Sequence, residues 1–145
     1  MKALFLAVSL VAAPLCAYAN GSCPAAVKAA VDNAHAGSKI RSCKQGKENG
    51  KIEYEVKLRT SDGRKLELDV APEGAILLTE EKIALAAVPP AVSAAFAARY
   101  PAAQASAAEK QTKPDGKASY ELVFKVKGKK TEATFDESGS FVSEE

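Results

Sequence analysis

The chain repeats itself. A shift of 65 residues lays "PAAV" at 24–27 on "PPAV" at 89–92 and Gly74 on Gly139, and the closing "DESGSFVSEE" at 136–145 echoes "APEGAILLTEE" at 71–81. A chain written this way is a tandem duplication, so the pattern inside one copy constrains the whole molecule.

Each copy opens with a period near four. Val27, Val31 and His35 fall on Val92, Phe96 and Tyr100, the spacing of a helix with one apolar stripe. Pro24 and the pair Pro89-Pro90 stand where these helices begin, a position that does not need the N–H that proline lacks. The period then falls to two. Ile52, Tyr54, Val56 and Leu58 alternate with Glu53, Glu55, Lys57 and Arg59; Tyr120, Leu122, Phe124 and Val126 alternate with Glu121, Val123, Lys125 and Lys127. These are strands with one apolar face. A further strand follows in each copy, carrying Leu66, Leu68 and Val70, then Thr131, Ala133 and Phe135.

One residue is missing from the second hairpin, since Tyr54 matches Tyr120 at a shift of 66 whereas Gly63 matches Gly128 at 65. Register accounts for the loss. If apolar residues face apolar residues, Leu58 pairs with Leu66 across the three-residue loop Ser61-Asp62-Gly63, and Phe124 pairs with Thr131 across Lys127-Gly128; both loop lengths keep the buried face buried. Strands near 40–44 and 75–79, with 105–110 and 140–143 in the second copy, complete the pattern. The expected fold class is therefore α+β: two tandem repeats, each one helix packed on a four-stranded antiparallel sheet. The repeats occupy 20–80 and 89–145, joined by the connector "EKIALAAV" at 81–88, which is apolar enough to be buried. A unit of about 60 residues is marginal alone, so the copies are expected to share an interface or to stay linked by a well-packed connector.

The first 19 residues precede this pattern and carry a different signal. Lys2, an apolar run from Ala3 to about Leu15 and the small-x-small triplet Ala17-Tyr18-Ala19 predict a secretory signal peptide cleaved after Ala19. The run is shorter than the roughly 20 residues that span a bilayer, so no membrane anchor is expected after cleavage. Cys16 follows Ala13-Pro14-Leu15, which places a bulky residue where a lipoprotein signal wants a small one. Without Lys2, 19 Lys and Arg face 18 Asp and Glu. That balance gives no basis for nucleic-acid binding, which needs a clustered basic excess.

Cleavage removes Cys16 and leaves Cys23 and Cys43. In an exported chain two cysteines suggest one disulfide. A helix from about Pro24 to Ala36 rises about 20 Å and a strand from Ser38 to Cys43 returns about 17 Å. The two sulfurs are thereby expected to meet within one chain, in preference to pairing between chains or free thiols.

Few residues offer chemistry. His35 is the only histidine, and its repeat counterpart Tyr100 shares its amphipathic shape but not its chemistry, which favours a structural role. No second histidine completes a zinc set, no Gly-x-Ser-x-Gly elbow is present, and no glycine-rich phosphate loop appears. Glu80-Glu81 and Glu144-Glu145 lack the ligand spacing of a calcium loop and read as solvated. No catalytic residue, metal or cofactor is expected. What remains is the charged side of the sheets. Glu53, Glu55, Lys57, Arg59, Lys65, Glu67 and Asp69, with Glu121, Lys125, Lys130 and Glu132, form either a face turned to water or a partner-binding surface broad enough for an ordinary protein interface.

The order of a Pro-x-x-Val helix, "GKIEYEVKL" or "GKASYELVF", and then "DGRKLELDVAPEGAIL" or "GKKTEATFDESGSFV" resembles the PepSY-like proteins, a family with a beta-lactamase-inhibitor-like fold. The resemblance covers nearly all of the chain after the leader and carries over no catalytic residue. It implies a periplasmic or secreted, non-enzymatic module that inhibits or binds a periplasmic or envelope protein. The rival expectation is a small-ligand-binding or envelope-stress sensor protein using the cleft between repeats.

Overall fold

The computed structural model describes residues 23–145; the signal peptide read at 1–19 lies outside them. The element order is α1 Ala25–Ala34, β1 Lys39–Glu48, β2 Lys51–Arg59, β3 Lys65–Val70, β4 Ile76–Ile83, a 3-10 turn at Leu85–Ala87, α2 Pro90–Arg99, β5 Ala107–Thr112, β6 Ala118–Val126, β7 Lys129–Asp136 and β8 Phe141–Glu144. Alanine-rich sequence favours both helices. Pro24 and Pro89 cap their N-termini, and His35 and Tyr100 close them with backbone N–H bonds to Val31 and Phe96.

All eight strands form one antiparallel sheet in the order β1 to β8. This corrects the expected fold class: the described residues form not two repeats, each with one helix on its own four-stranded sheet, but two helices on a single eight-stranded sheet. The overturning contact is the pairing of β4 with β5, from Thr79↔Thr112 to Ile83↔Ala108. β4 does not stop at Thr79. It continues through Glu80-Glu81-Lys82-Ile83, residues the sequence reading placed at a strand end and in the connector. Two separate sheets would leave β4 and β5 as unpaired edges, each a row of unmet N–H and C=O groups. Pairing them satisfies both rows. It also sets Glu81 opposite Lys110 and Lys82 opposite Glu109, favourable cross-strand charge pairs.

Residues in register share a face, so the pairings show that both helices cover the same side of the sheet. Under α1, Val27 and Val31 pack with Tyr54, Val56, Leu58, Leu66, Leu68 and Val70. Under α2, Val92 and Phe96 pack with Leu122, Phe124, Ala133 and Phe135, and the Phe96 and Phe124 rings meet edge-to-face at 5.0 Å. The expected hairpin registers hold: Leu58 faces Leu66 and Phe124 faces Thr131. Ile52 and Val126, also expected to point inward, are 46% and 41% exposed, because β2 and β6 run past the helix that would cover them. The connector is mostly exposed too. Val88 is buried, but Leu85 is 44% exposed.

Cys23 and Cys43 form the expected disulfide, with Cα atoms 5.5 Å apart. It ties the start of α1 to β1. Both cysteines pack against the core under α1. Among the described residues no helix is long and apolar enough to cross a membrane.

Candidate functional site

Because both helices sit on one side, the other side of the sheet is left uncovered among the described residues. The sequence alternation sends every second residue there. All ten charged residues proposed for partner binding lie on this open face, but in two groups. Glu53, Glu55, Lys57, Arg59, Lys65 and Glu67 stand on β2 and β3; Glu121, Lys125, Lys130 and Glu132 stand on β6 and β7. Between them run β4 and β5, so the groups are about 14 Å apart at the usual strand spacing. Asp69 lies with the first group, opposite Glu55.

The strands between contribute Glu80, Lys82, Glu109 and Gln111, and these link the two groups into one surface. The register runs Lys57↔Glu67↔Glu80↔Gln111↔Ser119 along one row and Lys82↔Glu109↔Glu121 along the next. Sequence reading took Glu80 as solvated and missed Lys82, Glu109 and Gln111. The signal that could have found them was the complementary charge order of "EEK" at 80–82 and "EKQ" at 109–111.

The centre of the face is acidic and half-buried. Gln111 donates through its amide to Glu80 at 2.9 Å and to Glu121 at 3.3 Å, and its amide oxygen accepts from Ser119 at 3.2 Å. Burial pushes the Glu80 carboxyl up to about 7, with nearby Glu109, Asp69 and Glu67 adding repulsion and the Gln111 bond opposing it. Burial likewise raises Glu121 to about 7, helped by Glu132 and Glu109. Asp69 rises to about 6, from burial and then the carboxylates of Glu53, Glu67 and Glu55. Glu80 is therefore not the solvated strand-end residue the sequence suggested. No group of three or more His, Cys, Asp or Glu among the described residues is arranged to hold a metal ion.

Toward β1 the face turns basic and concave. A cavity of about 370 Å³ is lined by Arg41, Lys57, Arg59, Lys65 and Lys82 together with Glu67, Glu80 and Glu109. Lys57 is held by Glu55 at 3.2 Å and Glu67 at 3.1 Å, and these bonds raise its pKa above the ordinary lysine value. Lys82 reaches Glu109 at 3.7 Å. At the far end of the face Lys130 pairs with Glu132.

His35 is half-buried at the C-terminal end of α1 and borders a shallow hollow with Thr60, Ser61, Asp62 and Arg64. Arg64 in that hollow is already paired with Asp62 at 2.9 Å and Glu81 at 3.4 Å.

No protein-family model matches this chain, and no curated protein is significantly similar to it. Solved structures are similar. A BLIP-like protein from Bacteroides fragilis NCTC 9343 superposes with a TM-score of 0.63 at 21% identity, covering 83% of each chain. A DUF2874 family protein from Bacteroides uniformis ATCC 8492 gives a TM-score of 0.69 at 16% identity over 86% of this chain and 89% of its own. A protein from Bacteroides eggerthii DSM 20697, described as periplasmic, gives the same TM-score of 0.69 at 16% identity over the same shares. At this identity the likeness establishes architecture alone: the chain has the fold of a BLIP-like protein and of DUF2874 family proteins.

Proposed function

We propose that this chain is an exported, non-enzymatic module that recognises a partner protein of the periplasm or envelope through the open face of its sheet. The observation that carries this reading is the half-buried carboxyl pair Glu80 and Glu121, clamped by one glutamine on the face opposite both described helices. Desolvated carboxyls work against folding, and groups so perturbed concentrate at functional sites. The fold shared with a BLIP-like protein supports a binding role. The periplasmic description of a structural neighbour supports export, as does the leader read at 1–19, with cleavage expected after Ala19.

The same reading takes 20–80 and 89–145 as copies of one duplicated sequence, with 81–88 between them. Gly74 and Gly139 support it, since each has a positive φ and lies against the carbonyl of a helix residue, Ala26 or Ala91. The matching helix caps His35 and Tyr100 support it too. His35 then belongs to the scaffold and has no part in recognition.

The test is capture from envelope extract by the mature protein. Wild type and His35→Phe retain the same partner, whereas Lys57→Glu/Arg59→Glu loses it while circular dichroism shows it still folded, although the lost Lys57 bonds to Glu55 and Glu67 lower its melting point. Loss of the partner on His35→Phe with full retention by the charge reversal would overturn the proposal.

A further inference from the structure

Three cations of the concave end stand without partners. Arg41, Arg59 and Lys65 are exposed, and none forms an ion pair with a described residue, although Lys57 and Lys82 beside them are paired. The cavity they line holds five cations and three carboxyls, a local excess of +2 that equals the formal charge of the whole chain. Two of its carboxyls are engaged by Lys57 and Lys82, and the third, Glu80, by Gln111. The positive field of the hollow is thus left with the three free cations.

Arg41 is aimed there by the backbone. Ile40 and Cys43 both pack against the core under α1, yet residues three apart in a regular strand point to opposite faces. The strand resolves the conflict with a register shift between Ile40 and Ser42. A bulge of this kind inserts one extra residue and redirects its side chain. The extra residue is Arg41, which joins Arg59 and Lys65 on the open side. Arg59 and Lys65 already face each other in register, a like-charge pair that costs stability when nothing neutralises it.

Resting on the reading of the open face as a recognition surface, we propose that Arg41, Arg59 and Lys65 form the seat for an acidic segment of the partner, whose carboxylates bridge the three cations. From β1 to β3 the cations span about 10 Å. A single small anion does not cover that distance, whereas an extended segment presents side chains on one side about every 7 Å. Arginine suits the task, since its guanidinium meets a carboxylate with two parallel hydrogen bonds.

The mature protein is titrated with fluorescein-labelled hexaglutamate, with hexalysine and inorganic phosphate as comparison probes. Hexaglutamate is expected to bind more tightly than either probe and to weaken as salt rises from 50 to 150 mM. Arg41→Gln/Arg59→Gln/Lys65→Gln is expected to lower its affinity about tenfold, with Lys113→Gln, outside the hollow, unchanged. If the triple variant melts early, Arg41→Gln and Lys65→Gln measured singly should each show part of the loss. Equal binding by wild type and variants overturns the seat, and so does saturation by phosphate as readily as by the peptide. Preference for hexalysine overturns it as well, and would locate recognition at the acidic centre, leaving the open face as the binding surface. If instead the triple variant loses hexaglutamate while envelope partner capture persists undiminished, the seat is not used for the partner and the proposal falls, again without touching the broader reading.

Discussion

Gln111 donates a 2.9 Å hydrogen bond to Glu80 across the pairing of β4 with β5. That contact lies on the seam that makes one sheet of the two halves, and it sits at the middle of the sheet face opposite the two described helices. Structure and candidate function therefore meet at the same strands. A residue that helps join the sheet also positions the carboxyls at the centre of the proposed recognition face.

The seam predicts a pH dependence. Glu80 and Glu121 have folded pKa values near 7, above the ordinary 4.5, chiefly through burial. For groups raised in this direction the stabilising contribution is fully present below about pH 4.5 and is lost as the pH climbs through about 7. Glu80→Gln keeps an acceptor for Gln111 and removes the charge. Its stability relative to wild type should be unchanged at pH 4.5 and higher by about 1 kcal/mol at pH 8, after allowance for solvent screening. Urea melts at the two pH values measure the difference. A variant equally destabilised at both would show that the carboxylate is welcome in the fold.

Two glycines are predicted to be irreplaceable for a reason that a third lacks. A Cβ on Gly74 would lie 2.8 Å from the Ala26 carbonyl oxygen, and one on Gly139 2.6 Å from that of Ala91. Gly63 has a similar φ of 92° but nothing within 4 Å. Gly63→Ala should cost about 1 kcal/mol, the strain of a left-handed alanine. Gly74→Ala and Gly139→Ala should each cost about 3 kcal/mol, because a helix backbone must also give way. Denaturant midpoints of the three variants check the ranking.

The Cys23–Cys43 bridge closes a loop with a sequence separation of 20. Closing a loop of that size restricts the unfolded chain, so reduction should lower stability by about 3 kcal/mol. Thiol labelling of freshly isolated protein should modify neither cysteine until reductant is added. Two labelled thiols per chain in unreduced protein would contradict the pairing.

The strands, hairpin registers and disulfide were legible because each rests on short-range information: alternation along Tyr54, Val56 and Leu58, loop length around Gly63, and chain reach between Cys23 and Cys43. The single sheet was not. Whether β4 pairs with β5 depends on Glu81 meeting Lys110 and Lys82 meeting Glu109, residues nearly 30 apart in a stretch without apolar alternation. Without that pairing, Glu80 reads as the end of a strand instead of the middle of a face. Arg41 escaped notice for a related reason, since a bulge is invisible to a period-two count. The charged face on β2, β3, β6 and β7 was readable, and its centre was not.

The most direct test of the open face as the recognition surface is site-specific photo-crosslinking in intact envelope. Benzoylphenylalanine replaces Val123, which sits on the open face between Ala107 and Glu132, or Ala94 on the exposed side of α2. A discrete adduct of defined mass from position 123, lost in the Lys57→Glu/Arg59→Glu background and absent at position 94, is the predicted result. An adduct from position 94 with none from position 123 would contradict the account and move recognition to the helical side.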